Sequence, residues 1–274
     1  MDFDLLEESE IMLTWLFIGG VAWMWIVHYA YLFRVNRMVY QRIDFWLLAL
    51  VPVGCVVGMW WAIARFGDAY VQEYAIYQLF YTLFGATWLF VWKWFLPVLG
   101  ISLQDDGLQR RNTGATIALC GAFIGVSAAF VGGNIGDGPG WWIVLLCAVT
   151  STLALLLAWL VLELFTQISE TITIDRSMAA GIRLAAFLIV SGVILGRSVS
   201  GDWIDMEDFV VSFVTRAWPV LPLIALSVFI ERIAKPTVDR PHPSTIIYGV
   251  FPVVMYVTLA IVSFSIVLQP AARL

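Results

Sequence analysis

The chain has 274 residues, 61% apolar and 13% charged, with a formal net charge of −5. One water-soluble core cannot enclose that much apolar surface, so much of it must face lipid. The acidic balance and the lack of a basic patch interleaved with aromatics exclude a nucleic-acid partner. A hydrocarbon core of roughly 30 Å takes about 20 apolar residues as a helix. No backbone polar group can go unpaired there, so each crossing is helical.

The first apolar run, 12–33, follows an acidic start (Asp2, Asp4, Glu7, Glu8, Glu10). A signal peptide has a basic start and a shorter apolar stretch, so this run reads as a true span. Seven more runs follow at 45–64, 74–99, 115–135, 141–166, 178–199, 208–231 and 244–268. The third opens with tyrosines and Gln78, and the seventh carries Arg216 and Pro219. The expected fold is an all-α polytopic bundle of about eight transmembrane helices in one membrane domain. The spans divide it into 12–73, a central 74–196 and a C-terminal 197–274. The loops are short and leave no room for a soluble enzymatic head.

Alternate loops differ in charge. Arg34, Arg37 and Arg42, then Arg110 and Arg111, then Arg176, then Arg232, Lys235 and Arg240 fall on one side. Asp68, Glu73, Asp137, Asp202, Asp205, Glu207 and Asp208 collect on the other, where Arg65, Arg197, Arg216 and Arg273 are the basic residues. Lysine and arginine favour the cytoplasmic face. The expectation is a bacterial inner-membrane location with both termini on the outer, periplasmic side. Trp60, Trp61, Trp141, Trp142 and Trp203 fall at outer ends, and Trp46, Trp92, Trp94 and Trp159 near inner ends, the register of an aromatic belt.

The chain also repeats itself. Arg111-Asn112-Thr113-Gly114-Ala115-Thr116-Ile117-Ala118-Leu119 is echoed 65 positions on by Arg176-Ser177-Met178-Ala179-Ala180-Gly181-Ile182-Arg183-Leu184. Asn112 and Ser177 stand at the two helix starts. The period covers two crossings, so the copies share one orientation, a parallel two-helix repeat. Small residues recur along both helices: Gly121, Gly125, Ala129 and Gly133 on the fourth span, then Gly181, Ala185, Gly192 and Gly196 on the sixth. Such faces let helices approach closely, within the chain or between copies of it.

The stretch from Asn112 to Leu119, followed by Gly121 and Gly125, resembles the first repeat of the YjfL-like bacterial inner-membrane proteins, domain-of-unknown-function family 350. Met178-Ala179-Ala180-Gly181-Ile182 is similar to that family's second repeat, and the likeness covers about 74–196. Ser177 replaces the expected asparagine, and Leu103-Gln104-Asp105-Asp106 departs from the family's preceding stretch. The resemblance implies an inner-membrane protein with no established activity, and it carries over no catalytic residue.

The chemistry-bearing residues are few. His28 lies in the first span and His242 in a loop, so a bis-histidine haem at one depth is excluded. His28 is a weak candidate for a single axial ligand, against a hydrogen-bonded packing role. Cys55, Cys120 and Cys147 sit in separate spans, and no cluster has metal-ligand spacing. No cofactor is expected. Gly132 to Gly140 is a glycine-rich hairpin between two membrane helices.

Charges inside a bilayer are costly and carry the best lead. Lys93, Glu163, Arg183 and Glu231 fall several residues inside one face, as a layer of alternating sign. They read as a polar vestibule or as snorkelling side chains. Arg216 sits beside Asp202, Asp205, Glu207 and Asp208 as a structural ion-pair candidate. The leading functional expectation is a non-enzymatic subunit or scaffold that packs with lipid and with other membrane proteins or copies of itself. The alternatives are an ion or small-solute channel using the inner charge layer, and a pigment- or haem-binding subunit through His28.

Overall fold

The computed structural model describes residues 7–35, 43–138, 140–203, 206–235 and 244–267. Asp205 and His242, and Arg37, Arg42, Arg240 and Arg273 of the loop analysis, lie outside them. Every regular element among the described residues is helical. In chain order the α-helices are α1 (Glu8–Val35), α2 (Ile43–Phe66), α3 (Ala69–Glu73), α4 (Ala75–Lys93), α5 (Thr113–Gly132), α6 (Trp141–Thr166), α7 (Ile168–Thr173), α8 (Met178–Val199), α9 (Met206–Ala217), α10 (Val220–Ala234) and α11 (Phe251–Val267). Among the described residues, eight helical stretches are long and apolar enough to cross a bilayer, which makes this a multi-pass membrane protein.

Two boundaries differ from the sequence expectation. The third span was drawn to 99, but α4 ends at Lys93. Pro97 opens a short 3₁₀ turn over Leu96–Leu99, and Gly100 closes it at φ +87. A proline lacks the N–H that would continue the helix. The seventh span, drawn unbroken over 208–231, is two helices, α9 and α10, parted at Trp218–Pro219 for the same reason.

Burial sets the layers. The spans of α5 and α8 are mostly buried and that of α1 is mostly exposed, so α5 and α8 form the centre and α1 the rim. Around that pair stand α2 against α5, α6 against both, α4 against α1 and α2, and α9 to α11 against α8 or α6. Trp15, Trp23 and Ile26 of α1 face outward, as lipid-facing residues do.

The α5–α8 seam explains the small residues. A Cβ on Gly132 would fall on the Gly196 carbonyl, one on Gly181 on the Gly114 carbonyl, and one on Gly192 on the Gly125 carbonyl. Gly121 faces Ala185, and Ala129 lies beside Gly196. Gly133 turns instead to Cys147 of α6. These residues are therefore occupied within the chain, where they let two backbones touch.

The tryptophans divide. Trp46, Trp60, Trp61, Trp94 and Trp142 are exposed, as a belt requires. Trp92, Trp159 and Trp203 are buried, so they pack the interior instead of anchoring the surface. The Trp203 indole N–H donates to the Val199 carbonyl (3.1 Å).

Candidate functional site

The four charges expected as one layer divide into three separate contacts. Arg183 and Glu231 form a fully buried pair, with side chains 1% and 4% exposed. The Arg183 Nε and Nη2 donate to the two Glu231 carboxylate oxygens, the second at 2.6 Å, and Nη1 donates to the Tyr248 carbonyl. The pair ties α8 to α10 and to the π-helical turn Ile246–Val250. Two charges without water are costly singly but satisfied together, and removing one partner of such a pair costs roughly 3–5 kcal/mol.

Glu163 lies near the end of α6. Its oxygens accept from the Ser169 backbone N–H (2.9 Å) and hydroxyl (2.5 Å), which caps the start of α7. Gln167 makes the turn between them at φ 53.

Lys93 meets His28: Nζ lies 3.3 Å from Nδ1 and donates to it. The ammonium also sits over the Phe90 ring, 5.6 Å from its centre. The other ring nitrogen, Nε2, donates to the Leu48 carbonyl (3.3 Å). Pro52, inside α2, is the reason that carbonyl is available. Four residues along, proline has no N–H to give it. The Tyr29 hydroxyl serves the next carbonyl, that of Ala49 (2.6 Å). Both His28 nitrogens are thus engaged in the fold.

At the other end of the bundle, the Arg216 guanidinium donates to the Ser200 carbonyl (2.8 Å). Asp202 accepts from the Asp137 backbone N–H (2.8 Å), which joins the 133–138 turn to the 200–203 turn. Glu207 and Asp208 open α9. The helix starts behave alike: the Asn112 side chain accepts from the Ala115 N–H, and that of Ser177 accepts from the Ala180 N–H, both at 3.3 Å. The Asn112 amide also donates to the Ile172 carbonyl (2.6 Å), which bridges the two segments.

The described residues also enclose two sizeable cavities. One is an apolar groove of about 750 Å³ between α2, α5 and α8, lined by Gly54, Gly58 and Met59 of α2, Ile124 and Ala128 of α5, and Val193 of α8. Arg197 stands at its lip. The other is a polar cleft of about 320 Å³ where Glu10, Asp68, Tyr77 and Tyr81 meet Asn134 and Trp203. The sequence reading missed both. The Gly54-x-x-x-Gly58 spacing was a visible signal for the groove. Glu10 and Asn134 lie 124 positions apart, and nothing in the sequence joins them.

Residues 70–199 match the family model described as Domain of Unknown Function (DUF350). The match runs from α3 to the end of α8 and so contains the α5–α8 seam, the Asn112 and Ser177 caps and much of the groove and the cleft. No curated protein and no solved structure matches the chain.

Proposed function

We propose that this protein is a non-enzymatic integral membrane subunit that receives a transmembrane helix of another polypeptide in the groove between α2, α5 and α8. The Gly54/Gly58 face carries this reading. Both glycines are exposed, and nothing lies within 4 Å of a Cβ built on either. Every small residue of the central seam has a neighbour in the chain, while this pair has none. In lipid the hydrophobic effect does not drive helices together, so close approach over small residues becomes a principal source of association. The groove, about 750 Å³ and almost wholly apolar, has the chemistry such a helix needs.

The location that goes with this reading is the bacterial inner membrane, as the likeness to the YjfL-like proteins implies. Both termini and the acidic turns are on the periplasmic side, and the arginine-rich turns face the cytoplasm.

The parallel-repeat reading rests on paired geometry 65 positions apart. Arg111 and Arg176 share φ 53. The Asn112 N–H donates to the Asp106 carbonyl as that of Ser177 does to the Thr171 carbonyl. Gly136 and Gly201 are both left-handed and touch.

The transport alternative would use Lys93, Glu163, Arg183 and Glu231. Each of these holds a contact that the fold needs, which favours the subunit reading.

The test is extraction into lipid nanodiscs directly from membranes, with the complex weighed by mass photometry. The expected result is a stoichiometric companion that Gly54→Leu/Gly58→Leu weakens by about tenfold or more while the helix content stays unchanged. A wild-type protein that emerges as a lone monomer, or a companion that the double variant retains in full, sinks the reading.

A further inference from the structure

We propose that the polar cleft binds a small organic cation bearing an ammonium group. The site is independent of the α2 groove. Its floor is Glu10, only 6% exposed, whose carboxylate accepts from the Glu7 N–H (3.1 Å) and from the Tyr77 hydroxyl. Asn134 forms the facing wall. It is 7% exposed, its amide nitrogen donates to the Phe130 carbonyl (3.1 Å), and its Oδ1 has no hydrogen-bond partner. That donation fixes which atom of the amide is the oxygen, so the unpartnered group is a buried acceptor beside the cleft. Leaving a buried acceptor unmade is costly, and natural structures keep few of them without a reason.

The surroundings set the class of donor. Among the described lining residues Glu7, Glu10, Asp68 and Asp137 are acidic, and none is basic. Asp68 caps α3 through the Tyr70 N–H (2.8 Å), so its charge is held at the mouth. Among the described residues no three His, Cys, Asp or Glu side chains come close enough to hold a metal ion. A bare ion would find no cluster of three such ligands here, whereas an ammonium brings several N–H donors to spaced acceptors. Tyrosine and tryptophan rings line the rest, and an ammonium is attracted to such faces. A cavity of about 320 Å³ matches a small molecule.

The sequence alone hid this. Glu10 reads as one acid of a polar start, and Asn134 as one residue of a glycine-rich turn. The two meet because α1 lies along α4 and the 133–138 turn closes over that end.

The probe is putrescine, chosen because acids stand both at the floor and at the mouth. The full chain in nanodiscs is titrated calorimetrically, with sodium chloride at matched ionic strength and with calcium chloride as comparisons. The expected result is saturable putrescine binding that Glu10→Gln and Asn134→Leu each weaken by about tenfold or more, since a hydrogen bond to a charged group is worth about that. Tyr70→Leu at the exposed rim leaves the fold intact and weakens binding by about threefold, the scale of one cation–π contact. Heat equal to the sodium control overturns the proposal, as does stronger saturation by calcium. So does putrescine binding that survives all three substitutions, which would place it on the general acidic surface. If either buried variant fails to fold, Tyr70→Leu decides alone, and an unchanged affinity there counts against the site.

Discussion

His28 is the residue whose role changes most between sequence and structure. Alone in an apolar helix it could be a ligand or a packing residue. Its partner is a carbonyl left open by a proline in another helix, 20 positions from Leu48 and 24 from Pro52. Removing the imidazole leaves the Leu48 carbonyl without a donor in the bilayer, at a cost of about 1–3 kcal/mol. His28→Ala is therefore expected to lower stability by about that much in thermal or denaturant unfolding. Pro52→Ala restores an N–H four residues along and relieves the loss, so the double variant should recover a large part of it. Equal losses in both backgrounds would mean that His28 acts by filling space. The logic of the Arg183–Glu231 pair is similar. Both residues were legible as intramembrane charges, but their pairing across 48 positions was not, because spacing along different helices says nothing about which faces meet.

At the scale of elements, the apolar runs were legible because a bilayer demands length and composition that little else imitates. The starts of α5 and α8 were legible too, since Asn112 and Ser177 are the residue types that accept from the first free N–H groups. The ends were harder. Hydropathy stays high through Pro97 and across Trp218–Pro219, so an apolar average runs past points where the backbone must turn. The small-residue faces of α5 and α8 could be read, but whether they met each other or a second chain could not. The seam answers with backbone against backbone, and that yields a contrast. Gly125→Ala and Gly132→Ala must push α8 away, and overpacking of this kind costs about 1–3 kcal/mol. Gly19→Ala faces open space in α1, so it should be neutral or stabilising by up to about 1 kcal/mol through helix propensity. Unfolding of the three variants in detergent micelles checks this. Equal shifts would show that the seam tolerates a methyl and that close approach is not what holds the pair.

For the molecule as a whole, charge and packing agree on two distinct ends. Asp137 meets Asp202 at one end, where Asp68 and Glu10 also gather around the cleft. At the other, the Arg176 guanidinium donates to the Arg110 carbonyl, and Gln109 reaches the Tyr31 hydroxyl (3.0 Å) near the end of α1. The described turns that hold Arg110, Arg111 and Arg176 fall at one end, and those that hold Asp68, Asp137 and Asp202 fall at the other. The fold thus keeps the alternation that the loops display in sequence, and the positive-inside rule converts it into an orientation. The rule acts during insertion, on arginines close to the spans, so the acidic end should face away from the cytoplasm. Single cysteines at Glu73 and Glu207 are expected to react with a membrane-impermeant maleimide on intact cells. Cysteines at Asp105 and Asp175 should react only after the membrane is opened. All four positions are exposed, and the native Cys55, Cys120 and Cys147 are buried thiols that leave the background low. Labelling at Asp105 or Asp175 on intact cells would invert the protein in the membrane. It would also turn the cleft toward the cytosol, so that any ammonium ligand reached it from within the cell.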